Sequence, residues 1–348
     1  MNNHKYVGLD VDQATTVVAV EDARGNLLME TFLPTKAADL REFFKGLKGT
    51  IHVAFEEGGQ ASWLYDLIEP LAAEVVVCDP RRNKLIHTGN KGDRADARNL
   101  ARLLRLGELH PVYHGERGTR GLKELVHGYD YLVRDVTRTK NRLKGAFRGR
   151  AIGCRGDKVY HAQDRKEWLA KVDVPAVRAR VDSLYEQLDC LRKLRDRAHK
   201  EMISEAHKHK AYKLLIKVPG LGPVRTSQII AAVGSPHRFR TKRQFWPYCG
   251  LAVTTHSSSE YEIVEGQRRR RNKPVQTRGL NRNFNRTMKA VFKGAARTAI
   301  IDEPFKQYYQ RMIDDKMRPE MALLTVARKI SAIALAIWKK GEDFDPEI

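Results

Sequence analysis

Three strand-like runs in the first 33 residues, joined by connections too short to hold a helix, constrain the fold more than any other feature of the chain. Tyr6-Val7-Gly8-Leu9-Asp10-Val11 is apolar and β-branched and leads to acids. Thr15-Thr16-Val17-Val18-Ala19-Val20 follows a short turn, and Asn26-Leu27-Leu28-Met29-Glu30-Thr31-Phe32 follows the turn Ala23-Arg24-Gly25. Connections this short require antiparallel neighbours. The pattern then changes period. Ala37 to Leu47 has helical spacing through Leu40, Phe43, Phe44 and Leu47, Ile51-His52-Val53-Ala54-Phe55 is a short buried strand ending in Glu56-Glu57, and Trp63, Leu64, Leu67, Ile68 and Leu71 mark a second helix. Val75-Val76-Val77-Cys78 is a fifth strand, and after the basic loop Arg81-Arg82-Asn83-Lys84 an Asp-initiated helix runs from about Arg94 to Leu106.

The resulting order, β-β-β-α-β-α-β-α, is that of an α/β ribonuclease-H-like (resolvase-like) mixed sheet, which holds carboxylates at the ends of its strands. Asp10 lies on the first strand and Glu56 ends the fourth. Asp93 and Asp96 open the last helix, three residues apart, so in a helix they face the same way. Four carboxylates at one sheet edge repel one another unless cations sit between them. Two Mg²⁺ ions roughly 4 Å apart would resolve that repulsion and clamp the oxygens of a phosphodiester displacement. Taken singly, each acid has a structural alternative: Asp12 shares the face of Asp10, Glu57 adjoins Glu56, and Asp93 is a good helix cap. Taken as a set on these elements, they read as a metal site.

The middle of the chain is helical. Residues 120 to 147 carry Leu122, Leu125, Val126, Tyr129, Leu132, Val133, Val136 and Leu143 on one side, with Arg or Lys at 134, 138, 140, 142, 144 and 148 elsewhere. A second long helix is expected from Pro175, a residue suited to a helix start. Its Val177, Val181, Leu184, Leu188, Leu191, Ala198 and Met202 keep a 4-3 spacing, interrupted by Arg195. That is the seam of a coiled coil pairing with the first helix or with another subunit, or equally of a helix packed within its own chain; either way it is a rigid arm.

The final segment is expected to be mainly helical. Val218-Pro219-Gly220-Leu221-Gly222-Pro223 reads as a helix-hairpin-helix turn in which Gly220 and Gly222 let backbone N–H groups approach a phosphate, although it is also a plain helix-breaking turn. From Gly266 the chain is very basic: Arg268, Arg269, Arg270, Arg271 and Lys273, then Arg278, Arg282 and Arg286, these last expected on a helix. Local acids cannot satisfy that density, so contact with a nucleic-acid backbone is the better reading. The tail from Pro304 to Trp338 is expected to be helical, with Met321, Leu323, Leu324, Val326, Ile330, Ile333 and Ile337 as core.

Charge points the same way. Lys and Arg number 64 against 42 Asp and Glu, a formal net charge of +22, which favours a polyanionic partner. Cys78, Cys154, Cys190 and Cys249 lie far apart without CxxC spacing, and His207 and His209 have no cysteine pair beside them, so zinc and a disulfide framework are both disfavoured. With no run of about 18 apolar residues and no hydrophobic leader, a cytoplasmic location and no membrane partner are expected. Between His256 and Glu260 stands Ser257-Ser258-Ser259, by itself only a polar turn.

Taken together, Gly8-Leu9-Asp10-Val11, Phe55-Glu56-Glu57-Gly58-Gly59, Asp93-Arg94-Ala95-Asp96-Ala97-Arg98-Asn99-Leu100-Ala101, Val218-Pro219-Gly220-Leu221-Gly222, and Arg238-Phe239 leading to Tyr248-Cys249-Gly250-Leu251 resemble one family in order and spacing. It is the transposases of the insertion-sequence family numbered one hundred and ten, also called bridge-RNA-guided serine-type recombinases. The resemblance implies a DEDD domain over 1–115, a helical coiled-coil arm over 116–210 and a transposase domain with a nucleophilic serine over 211–348. In the family that serine lies eight residues after the glycine of a Gly-Leu pair, which gives Ser258, flanked by Ser257 and Ser259. Here Ser259-Glu260 replaces the usual following glycine pair. The resemblance further implies donor and target duplex DNA, a structured non-coding guide RNA and a homo-oligomer, a dimer or tetramer, as partners. Two other readings use the same residues: a metal-dependent junction resolvase or nuclease with water as nucleophile, and a non-catalytic nucleic-acid-binding protein. A sugar-kinase-like fold, which also opens on a Gly-x-Asp strand, is disfavoured by the charge and by the lack of glycine-rich phosphate loops.

Overall fold

The structure is a computed structural model that describes residues 3–80, 92–112, 117–256, 261–264, 267–270, 276–280 and 282–346. The chain divides into two compact units, Met1–His114 and Gly115–Ile348.

The first unit is built on a mixed sheet of β1 (His4–Val11), β2 (Thr15–Asp22), β3 (Leu27–Pro34), β4 (Thr50–Glu56) and β5 (Glu74–Cys78), in the spatial order β3-β2-β1-β4-β5. As the short connections require, β1, β2 and β3 are antiparallel. The β2–β3 turn is fixed by Asp22, whose Oδ1 accepts from the Arg24 and Asn26 amides at 2.8 and 2.9 Å, a local side-chain bond that specifies a tight turn. β4 and β5 run parallel to β1 because α1 (Ala37–Gly46) and α2 (Ala61–Ile68) carry the crossovers.

Side-chain alternation then sorts the two faces. Val7, Leu9, Val18, Val20, Val53, Phe55 and Val77 pack with Leu40 and Phe44 of α1 and Leu64, Leu67 and Ile68 of α2. The opposite face is covered by α3 (Asp93–Leu106), whose Leu100, Leu103 and Leu104 meet Ala54 and Cys78, and whose Ala97 meets Val17 and Ala19. Asp10 is in step with Gly8, and Glu56 with Ala54, so both acids lie on the face that α3 covers.

The second unit is mainly helical. α4 (Arg117–Arg148), the short α5 (Arg165–Ala170) and α6 (Pro175–Ala206) come first. The start of α4 (Leu122, Val126) clusters with the end of α6 (Met202, Ala206), and the end of α4 (Leu143, Phe147) with the start of α6 (Val181, Tyr185, Leu188), so the two long helices pack antiparallel within the chain. The 4-3 seam is joined by Tyr185, fully buried one position past Leu184, while Val133 on α4 is exposed where it was expected in the core.

Then follow α7 (Lys210–Leu215), α8 (Pro223–Val233), α9 (Lys242–Tyr248), four short strands β6 (Val253–His256), β7 (Tyr261–Val264), β8 (Gln267–Arg270) and β9 (Gln276–Leu280), and α10 (Arg286–Ala299), α11 (Phe305–Asp314) and α12 (Pro319–Lys340). The strands correct the helical expectation: Arg278 lies on β9, Arg282 precedes α10, and only Arg286 is helical. Their spacing of four imitates a helix, whereas the β-branched runs at 253–255 and 261–264 decide for strand. The tail is two helices, and Met321 is exposed. α12 is by length and composition apolar enough to cross a membrane, which departs from the expectation that no such run exists. Its Leu324, Val326, Ile330, Ile333 and Ile337 lie in the core of this unit.

Candidate active site

The geometry of the acids follows from one close approach. A Cβ on Gly8 would stand 2.0 Å from the Ala97 carbonyl oxygen and 2.5 Å from the Ala101 amide, so α3 crosses β1 backbone to backbone at this glycine. Only glycine on the strand and alanines on the helix permit such contact. Asp96 precedes Ala97 by one residue and Asp93 opens the helix, which carries both toward the strand end where Asp10 sits. On the adjacent parallel strand, Leu9 pairs with Phe55, so Asp10 and Glu56 are one step further along neighbouring strands.

Convergence shows in the electrostatics of Asp10. Its carboxyl is pushed up from an ordinary 3.8 to about 6, first by burial and then by repulsion from Asp93, Asp96, Glu56 and, least, Asp12. Asp12, the alternative to Asp10, is exposed. It lines with Glu56 a cleft of about 370 Å³ beyond the ends of β1 and β4, bounded also by Gln13, Gly58, Gly59 and Gln60. The carboxylates surround Asp10, but among the described residues no three His, Cys, Asp or Glu side chains close into a ligand shell. The donor set is all carboxylate, the chemistry that suits a hard divalent cation, and the mutual repulsion is the kind a cation relieves.

Sequence reasoning missed the residues that hold α3 in place. Arg94 Nε lies 3.3 Å from Glu30 Oε1, and Arg98 Nε donates to Glu30 Oε2. The Arg98 hydrogen bond holds the Glu30 carboxyl below its usual range. Arg105 Nε pairs with Glu21 at 3.2 Å. Arg94 and Arg98 stand four apart on α3 and both reach Glu30 on β3, far away in sequence.

In the second unit, Ser257, Ser258 and Ser259 lie outside the described residues, as do Arg271 and Lys273. What precedes the serines is firmly tied. Tyr248 Oη donates to the Ala232 carbonyl at 2.7 Å, the Asn285 amide donates to the Tyr248 carbonyl at 2.9 Å, and Arg328 Nε donates to the Leu251 carbonyl at 2.7 Å. From this base β6 departs, paired antiparallel with β9 through Val253 with Leu280 and His256 with Gln276. Arg268 and Arg269 are exposed on β8, which also carries Arg270, and Arg282 is exposed ahead of α10. Gly220 has φ +82° and a Cβ there would meet the Ala295 carbonyl oxygen at 2.4 Å, so packing against α10 already demands this glycine. Gly222, by contrast, is exposed ahead of α8 with open space around its Cα.

Comparison with known proteins places these elements in context. A family model for the DEDD transposases of the IS110 family, described as Transposase, matches residues 7–150, the stretch that contains all four acids. A second, described as Transposase IS116/IS110/IS902 family, matches residues 212–310, which contain the serines and the basic strands. The chain is 24% identical over 233 residues to "Transposase for insertion sequence element IS1111A" of Coxiella burnetii, covering 65% of this chain and 63% of that protein. It is 27% identical over 272 residues to the protein named transposase y4qE in Sinorhizobium fredii, covering 73% and 65%, and 26% identical over 260 residues to "Probable family 20 transposase" of Pseudomonas aeruginosa, covering 74% and 76%. The matched stretch thus spans just under two thirds of the length of the first two relatives.

Proposed function

We propose that the chain, which carries IS110-family transposase domains over residues 7–150 and 212–310, is an insertion-sequence transposase that cuts and rejoins DNA strands through a phosphoserine intermediate at Ser258. The first unit acts as a ribonuclease-H-like catalytic domain. The observation that carries the reading is the strand register that sets Asp10 beside Glu56, with the close approach at Gly8 that brings the helix of Asp93 and Asp96 onto the same strand.

Asp10, Glu56, Asp93 and Asp96 would hold one or two Mg²⁺ ions, which supply charge stabilisation at a phosphodiester. Gly8 and the Glu30 pairs fix the helix that bears two of these acids, and so orient the set. In the proposed step Ser258 Oγ attacks phosphorus, the P–O bond to one strand breaks, and the serine proton leaves with that strand's new hydroxyl. Attack by the hydroxyl of an incoming strand reverses the step and frees the serine, so no nucleotide cofactor is consumed. Arg268, Arg269, Arg270, Arg271, Lys273, Arg278 and Arg282 are assigned to nucleic-acid backbone, with Gly220 and Gly222 as a further phosphate contact. Donor and target duplexes, a structured guide RNA that selects them and a dimer or tetramer complete the proposal.

The test is trapping. Full-length protein incubated with Mg²⁺ and duplex DNA should leave a covalent adduct after denaturation, lost in Ser258→Ala and kept in Ser257→Ala and Ser259→Ala. Cleavage that persists unchanged in Ser258→Ala, with no adduct in the parent protein, would replace this reading with hydrolysis by water.

A further inference from the structure

We propose that the two-stranded ribbon of β7 and β8 is a DNA-deforming wedge, pressing the aliphatic side chain of Ile263 into the minor groove of a duplex while Arg268 beside it holds a flanking phosphate. The proposal rests on the transposase reading and adds a mechanical role for a segment that the strand-transfer chemistry leaves unused.

The ribbon is built in an unusual way for a soluble surface. Tyr261 pairs with Arg270, Glu262 with Arg269, Ile263 with Arg268 and Val264 with Gln267, and no third strand joins the sheet among the described residues. Directly opposed residues share a face, so Ile263 stands beside Arg268. Ile263 is 80% exposed, the most exposed large apolar side chain among the described residues, and Val264 beside it is 41% exposed. Gln267, Arg268 and Arg269 are exposed as well. Ile263 and Val264 belong to none of the buried clusters among the described residues. A two-stranded ribbon is at best marginally stable in water, and an aliphatic side chain left on its surface gains by burial against a partner.

The neighbours of Ile263 define that partner. A protein groove that accepts isoleucine is apolar at its rim, whereas here Ile263 stands beside the guanidinium of Arg268. Duplex DNA offers both requirements at once: phosphates on either side, and stacked bases between which an apolar side chain can enter. Aliphatic wedges in the minor groove partly unstack a base step and kink the duplex by roughly 20–90°. Pyrimidine–purine steps yield most easily.

The experiment uses the full-length protein and a mixed-sequence DNA duplex carrying 2-aminopurine at TA and CA steps, with a dye pair at its ends. The parent protein should raise the 2-aminopurine fluorescence and shorten the end-to-end distance. Ile263→Ala should abolish both signals while the salt dependence of binding stays the same, and Ile263→Phe should restore them. Arg268→Gln should lower the slope of log affinity against log salt by about 1, since each phosphate contact contributes about 0.9. Binding by the parent without a fluorescence rise, or an Ile263→Ala protein that still gives the full rise, refutes the wedge and leaves the transposase reading standing. An equal response from an RNA duplex refutes the assignment to DNA. Failure to bind either duplex refutes the transposase reading, and the wedge with it.

Discussion

Asp10→Asn removes the charge that its surroundings oppose most while keeping the size of the side chain, so this variant measures what it costs to gather the acids. The carboxyl rises from 3.8 to about 6 on folding. At 1.36 kcal/mol per pKa unit that is at most about 3 kcal/mol of strain in the ionised folded state. Asp10 is only partly buried, and solvent screening reduces the figure to about 1–2 kcal/mol. The sign follows from linkage. Below about pH 4 the carboxyl is protonated in both states and costs nothing. Between about 4 and 6 the unfolded chain releases its proton first, so this group's penalty grows as pH rises, and above about 6 it is complete.

Asp10→Asn should therefore stabilise the metal-free protein by about 1–2 kcal/mol at pH 7.5 and not at pH 3.5. In a unit of about 100 residues each kcal/mol moves the midpoint by roughly 4–8 °C. Thermal unfolding in chelator at the two pH values reads it directly. Saturating Mg²⁺ should invert the order, since the parent gains binding free energy that the variant has lost. A variant no more stable than the parent at pH 7.5, or equally stabilised at pH 3.5, would refute the account of repelling carboxylates.

Three further outcomes are expected. Gly8→Ala forces α3 off β1, because its Cβ would stand 2.0 Å from the Ala97 carbonyl oxygen; denaturant unfolding should show a loss of about 1–3 kcal/mol, and DNA cleavage should disappear with it. Glu30→Gln weakens two arginine pairs on α3 and should leave the urea midpoint nearly unchanged, yet raise the Mg²⁺ concentration needed for half-maximal cleavage. Leu143→Ala, at a fully buried position between α4 and α6, should destabilise the second unit by about 2–5 kcal/mol in urea unfolding without altering Mg²⁺ dependence.

What the sequence made legible, and what it hid, divides along physical lines. The five strands and three helices of the first unit were readable because turns of a few residues dictate antiparallel pairing and helical runs dictate crossovers. Asp10, Glu56, Asp93 and Asp96 were readable as a set for the same reason, since the topology alone carries them to one place. The Glu30 clamp was not, because an ion pair between β3 and α3 joins residues 64 and 68 positions apart, and no local pattern announces it. β8 was hidden by its own charge, since Gln267–Arg270 has no apolar alternation to betray it, and β6, β7 and β9 by being only four or five residues long. Val133 and Met321 were misplaced because helical spacing marks a stripe wider than the neighbouring elements cover.

The two ends of the same parallel strands make the case for function at one of them. Where β1, β4 and β5 begin, titratable groups also gather: His4 Nδ1 lies 2.9 Å from His52 Nε2, His52 Nδ1 lies 2.8 Å from Glu74 Oε2, and the rings of Tyr6 and His52 stack at 5.0 Å. Those groups complement one another, each hydrogen bond supplying what its neighbour lacks, and they are accounted for as structure. At the carboxyl ends of β1 and β4 the gathered groups are all acids, and their effect on Asp10 is repulsion. A fold that satisfies its polar groups at one end of a strand pair and opposes them at the other has there the arrangement that a ligand of the contrary charge would relieve, and the carboxyl ends of strands are where open α/β sheets bind theirs.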